Sequence, residues 1–143
     1  MESGRPVLMI PQRGSYAAPA LAVAGYNATR ESSRALFDCL PLLQSANEVR
    51  VVWVDPQSER GIAGDVPGAE AATALARHGI KAVAEGLPAG INAGKALLQR
   101  AQDLGANLVV MGAYAHSRMR EYIFGGATQY VLANATIPVL MSH

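Results

Sequence analysis

Five short apolar runs alternate with segments of helical period, and this limits the fold more than any other feature of the chain. The runs are residues 20–25, 49–54, 80–84, 108–112 and 139–141. Most are apolar almost throughout rather than at every second position, so they read as strands buried on both faces. Between them, Leu36, Cys39, Leu40 and Leu43 recur at i, i+3, i+4 and i+7. Residues 68–78 are Ala-rich and stop at Gly79. Asn92 caps a segment running to about Leu104 with Ala93, Leu97, Ala101 and Leu104 facing in. Ala127, Tyr130, Val131 and Asn134 repeat the helical spacing. Strands and helices joined by short links imply parallel strands with right-handed crossovers. The expected fold is α/β: a doubly wound, five-stranded, mostly parallel sheet with helices on both faces.

Local chemistry sharpens several boundaries. Thr29 is placed to cap the first helix, with Glu31 in its favourable first turn. Pro41 interrupts that helix because it has no N–H to give the carbonyl of Phe37. Cys39 lies on the apolar stripe and reads as a core thiol. His78, near a helix end, suits the helix dipole. Asp55-Pro56 closes the second strand. Residues 57–67 and 85–90 carry Gly and Pro and read as loops.

Composition excludes several functions. A chain of 143 residues, half of them apolar, has single-domain length and enough material for a core. The net charge of +1 is spread along the chain without a basic block, which argues against nucleic acid as a partner. One cysteine excludes an intrachain disulfide and fits a reducing compartment. No apolar run approaches the roughly 18 residues of a membrane span. The first residues do not form a secretory signal, so a cytoplasmic protein is expected. His78, His116 and His143 are scattered, and no spacing fits a metal site.

The stretch from residue 108 to 134 carries the functional signal. An apolar strand ends at Gly112. A polar loop follows with His116, Ser117, Arg118, Arg120 and Glu121, and Gly125-Gly126 opens a helix. In an open parallel sheet, ligands bind beyond the carboxyl ends of the strands. A glycine-opened helix N-terminus there offers free N–H groups to an anion, and Ser117 with a basic neighbour suits phosphate oxygens. Asp55 and Glu85 fall at the ends of the second and third strands, near the rim of such a site, and read first as solvated strand-end acids. There is no Gly-rich loop ending in Lys-Ser/Thr and no Gly-x-Ser-x-Gly turn, so a P-loop is excluded and a serine hydrolase has no support.

The run Gly112-Ala113-Tyr114-Ala115-His116-Ser117-Arg118, with the later Gly125-Gly126-Ala127-Thr128, resembles the universal stress protein family. The resemblance extends from about residue 20 to 141. It implies the same doubly wound sheet and a stress-response role. Nucleotide-binding members carry Gly, two residues, Gly, nine residues, Gly, then Ser or Thr. On this chain those positions are Gly112, Ala115, Gly125 and Gly126, so the second glycine and the hydroxyl are absent. The family's Asp-Gly-Ser turn after the first strand falls on Asn27-Ala28-Thr29. The residues implied to hold a nucleotide are Asn27, Val54, Gly112, Ala115, His116, Ser117, Arg118, Gly125, Gly126 and Ala127. The implied ligand is ATP with Mg²⁺, or AMP, with at most slow hydrolysis. The alternative is a non-nucleotide-binding dimerisation or interaction module with a degenerate site.

The resemblance also implies a homodimer through the last strand, Val139, Leu140 and Met141. Its tetrapeptide Pro-Val-Leu-Met occurs a second time at Pro6-Val7-Leu8-Met9. Family members often carry two domains in tandem. Residues 1–19 therefore read as the last strand of a preceding domain plus a linker, and residues 20–143 as the domain proper. The expectation is that Val7, Leu8, Met9 and Ile10 pair with Val139–Met141, within one chain or swapped between two.

Overall fold

Strands that are apolar on both faces need cover on both sides, and the helices supply it in two layers. The computed structural model describes residues 5–14, 16–54, 67–88, 91–113 and 125–143. The elements are β1 (Val7–Met9), β2 (Leu21–Gly25), α1 (Arg30–Asp38), α2 (Leu40–Leu43), β3 (Glu48–Val54), α3 (Pro67–Arg77), β4 (Ala82–Leu87), α4 (Ala93–Leu104), β5 (Leu108–Gly112), α5 (Gly126–Asn134) and β6 (Val139–Ser142). The sheet order is β1-β6-β5-β2-β3-β4. All neighbours are parallel except β1, which is antiparallel to β6.

Alternate residues of the strands feed the two layers. Ala22, Ala24, Val49, Val51, Val110 and Leu140 meet Leu36, Cys39, Leu43 and Leu75 from the α1–α3 side. Val23, Val52, Val109, Met111, Val139 and Met141 meet Leu97, Ala101 and Val131 from α4 and α5. Each layer is a helix stripe of period 3.6 packed on a strand face of period 2.

The sheet has six strands rather than five, because the N-terminal copy joins it. Val7 lies opposite Met141, Leu8 opposite Leu140 and Met9 opposite Val139, within one chain. The expected pairing of the N-terminal strand with Val139–Met141 forms over Val7–Met9. β6 is therefore paired on both sides, with β5 and with β1. The third strand of the sequence reading also moves. It runs over 82–87 rather than 80–84, because each of Ala82 to Leu87 pairs with Val49 to Val54. Ile80 is buried in the connection instead. Part of the predicted 85–90 loop, including Gly86, is therefore strand. Residues 57–66 lie outside the described residues.

Pro41 acts as expected. The helix breaks after Asp38 and restarts at Leu40, with Pro41 near the start of α2. Gly79 and Gly105 end α3 and α4 with φ of +77° and +67°, where a Cβ would be strained. The His78 ring meets Phe37 edge-on at 6.2 Å. Glu85 sits inside β4, paired with Arg100 at 2.9 Å and Arg50 at 3.7 Å, so it braces α4 against the sheet. Glu48 joins the same surface network through Lys81 and Arg50. Those two partners, Lys81 foremost, hold its carboxyl below the ordinary range.

Cys39 is fully buried. Burial first, and the Asp38 charge second, push its thiol from 9.0 up to about 12. The thiolate is the reactive form, so at pH 8 a thiol reagent should label native protein far more slowly than urea-unfolded protein, which a colorimetric assay would show. Because the folded-state value is raised, its stabilising contribution is complete below about pH 9 and is lost as the pH climbs toward 12.

Candidate nucleotide site

β2 and β5 lie side by side, parallel, and their following helices leave on opposite faces of the sheet. This is a topological switch point, and a crevice opens beyond the carboxyl ends of the two strands. The crevice is a cavity of about 230 Å³. The first turns of α1, α4 and α5 all contribute to its walls, through Thr29 and Ser32, Ala93 and Gly94, and Gly126 to Thr128. Helix N-termini carry partial positive charge and unpaired N–H groups.

Two of these helix starts are already satisfied. At α1, Ser32 N donates to Thr29 Oγ1 at 3.3 Å and Thr29 N donates to Ser32 Oγ at 3.2 Å, a reciprocal capping box. Asn27 Oδ1 accepts from Thr29 Oγ1 at 2.7 Å and binds the turn together. At α4, Asn92 Oδ1 accepts from Gly94 N at 2.8 Å and Lys95 N at 3.2 Å. The third start, α5, follows Gly125 and has no side-chain cap. Its first turn lines the cavity, and no side-chain acceptor for its N–H groups occurs among the described residues. Among the described lining residues, Glu31 carries the only charge. An anion therefore has its best place at α5, away from Glu31.

The glycines have distinct roles here. A Cβ on Gly112 would stand 2.7 Å from the backbone of Glu31 and Ser32, so this glycine lets α1 start against the end of β5. A Cβ on Gly94 would stand 2.3 Å from the carbonyl oxygen of Ala127, so α4 and α5 cross backbone to backbone there. A Cβ on Gly126 would meet, among the described residues, only Asn92 Nδ2 at 3.5 Å, an ordinary contact distance. Ala28 has φ of +58°, a left-handed conformation in which glycine is at ease and alanine is strained.

Asn27, Val54, Gly112, Gly125, Gly126 and Ala127 all line this one cavity. Ala115, His116, Ser117 and Arg118 lie outside the described residues, as does Asp55. The sequence reading missed Thr128, buried in the wall. Its signal was a hydroxyl on the first turn of a glycine-opened helix. It also missed Ser32 and Gly94, which carry no motif and reach the cavity only through helix packing. Trp53, the single tryptophan, lines the cavity too. Gly68 and Gly86 leave room for its ring. Its indole N–H is buried without a partner. No cluster of metal-binding side chains occurs among the described residues.

The profile of the universal stress protein family matches residues 22–143. The chain belongs to that family. No curated protein sequence matches it. Among solved structures, a universal stress protein from Archaeoglobus fulgidus DSM 4304 is 20% identical with a TM-score of 0.70; the match covers 98% of this chain and 50% of that one. A universal stress protein solved in complex with cAMP is 22% identical, TM-score 0.66, covering 89% and 99% of the two chains. One from Archaeoglobus fulgidus in complex with dAMP is 18% identical, TM-score 0.63, covering 87% and 97%. At these identities the likeness establishes the fold.

Within this universal stress protein domain, Gly112 and Ala28 should respond to mutation in opposite ways. Gly112→Ala forces α1 off the sheet and should cost about 1–3 kcal/mol. Ala28→Gly relieves a left-handed alanine and should gain about 1 kcal/mol. Urea unfolding of both variants checks the pair; an unchanged midpoint for Ala28→Gly would contradict the strain.

Proposed function

We propose that this domain is a stress-response module that binds an adenine nucleotide in the crevice beyond β2 and β5. The observation that carries the reading is the uncapped start of α5. Three helix N-termini meet at one cavity, and among the described residues this one alone has no side-chain cap. The phosphates belong there, at Gly125, Gly126 and Ala127. The sugar and base belong toward Asn27, Glu31 and Val54, where a carboxylate accepts hydroxyl groups and does not repel phosphate. His116, Ser117 and Arg118 are assigned to the phosphates on their chemistry, with Gly112 and Ala115 leading into that loop. The relatives solved with cAMP and dAMP support the ligand class.

The degenerate-site alternative requires side chains to fill the cavity, and the walls at Gly125 and Gly126 favour the open reading. ATP with Mg²⁺ and AMP remain the ligands to compare. No helix among the described residues is long and apolar enough to cross a membrane; placement in the cytoplasm and homodimer formation through Val139–Met141 are part of the proposal. Because β1 covers β6, that dimer contact requires β1 to move.

Isothermal titration with ATP and Mg²⁺, AMP and cAMP tests the reading, with Trp53 fluorescence as a second signal. Dissociation constants in the micromolar range are expected. No heat and no fluorescence change at millimolar nucleotide would overturn it. Gly126→Ser restores a hydroxyl at a position with room for it. It should tighten binding of a phosphate-bearing nucleotide by about threefold to tenfold, since one added hydrogen bond is worth about 0.5–1.5 kcal/mol, and leave adenosine affinity unchanged.

A further inference from the structure

Asn92 uses one end of its side chain to cap α4 and leaves the other end over. Its Oδ1 accepts from Gly94 N at 2.8 Å and from Lys95 N at 3.2 Å. Both partners are donors, so the oxygen must face them and the amide nitrogen must face away. Nδ2 accordingly lies on the side of α5, 3.5 Å from where a Cβ on Gly126 would stand. Among the described residues, no acceptor is bonded to it.

We propose that the Asn92 amide is a phosphate contact of the nucleotide site, a side-chain donor that α4 lends to the uncapped start of α5. The inference rests on the nucleotide reading above and adds to it a residue from a different helix.

The donor is held in place. A Cβ on Gly94 would stand 2.3 Å from the Ala127 carbonyl oxygen, so α4 and α5 touch backbone to backbone two residues after Asn92 and one after Gly126. Between its cap bonds and this contact, the amide has little freedom to leave the α5 start. The first N–H groups of α5 have no side-chain cap. Side-chain and backbone donors from two helices thus come to one place, which suits an anion with several acceptor oxygens. Both helix N-termini add partial positive charge there. Glu31, the only charge among the described lining residues, belongs to α1.

Thr128 is an independent sign that a ligand enters here. It is 2% exposed and lines the same crevice, and its hydroxyl bonds to no other described residue. Buried hydroxyls have partners as a rule, and the crevice is the side from which one can come. Asn92 itself is exposed, so its amide is hydrated in the free protein and exchanges water for phosphate on binding.

Asn92→Asp tests the contact with the cap held constant. Aspartate caps a helix as well as asparagine does, but it puts a carboxylate oxygen where the NH₂ donor was. Asn92→Ser keeps a capping oxygen and removes the donor without adding charge. Isothermal titration of the full chain compares AMP with adenosine for all three proteins, and urea midpoints follow the fold. The wild type should bind AMP more tightly than adenosine. Asn92→Ser should weaken AMP by about threefold to tenfold, and Asn92→Asp by more than about tenfold, because its charge also repels phosphate. Adenosine affinity and the urea midpoints should not change. Wild-type affinity for AMP in both variants would overturn the contact and leave the site reading standing. So would equal affinities of the wild type for AMP and adenosine, which put the phosphate away from α5. Loss of AMP and adenosine together in Asn92→Asp would also overturn it, since the residue would then only shape the start of α4. A wild type that binds neither ligand overturns the nucleotide reading itself, and this contact with it.

Discussion

Everything at the functional end of this molecule depends on the close approach of α1 to the tip of β5. Gly112 has no Cβ, so the backbone of Glu31 and Ser32 comes within the space a methyl group would take. That contact sets where α1 begins, and with it one wall of the crevice between β2 and β5. A second backbone contact, Gly94 against the Ala127 carbonyl, fixes α4 against α5 on the other face. Both are steric, and both act at helix starts, where the unpaired N–H groups lie. Gly112 and Gly94 thus shape the cavity by letting helices approach, and both also line it.

This changes the meaning of the glycine pattern. Read along the chain, Gly112 and Gly125 look like two halves of one phosphate-binding device. In three dimensions they divide the work. Gly112 serves packing, while Gly125 leaves α5 without a side-chain cap and so open to an anion. The turn Asn27-Ala28-Thr29 divides similarly. Asn27 and Thr29 bond to each other and close the α1 start, while Ala28 takes a left-handed backbone at a cost of about 1–2 kcal/mol. The turn is thus held by its own hydrogen bonds, with neither a charged residue nor a glycine in it.

The two ends of the sheet contrast in the same way. At the crevice, three helices from two layers meet a parallel core whose strands are sealed by neighbours. At the far edge, the seal is three half-exposed residues of β1. The same tetrapeptide is core in one place and edge in the other, so its sequence alone does not define its burial. Position in the sheet does.

Sequence alone determined the fold class, the order of elements and most boundaries, because burial on two faces writes itself into composition and period. The continuous runs at 49–54 and 108–112, the break at Pro41, the Asn92 cap and the Gly79 and Gly105 stops are local chemistry and are legible locally. Six of the ten proposed site residues come together at one cavity, since the carboxyl ends of parallel strands are where such a chain must leave a gap. Only the tertiary structure decided the rest. That Glu85 braces Arg100, that Ser32 and Thr128 enter the cavity wall, and that Gly112 answers to α1 are facts about atoms far apart in the chain. The repeated tetrapeptide suggests that β1 pairs with β6, but only the fold sets their register. Periodicity records which face of an element is buried; it does not record what lies against that face.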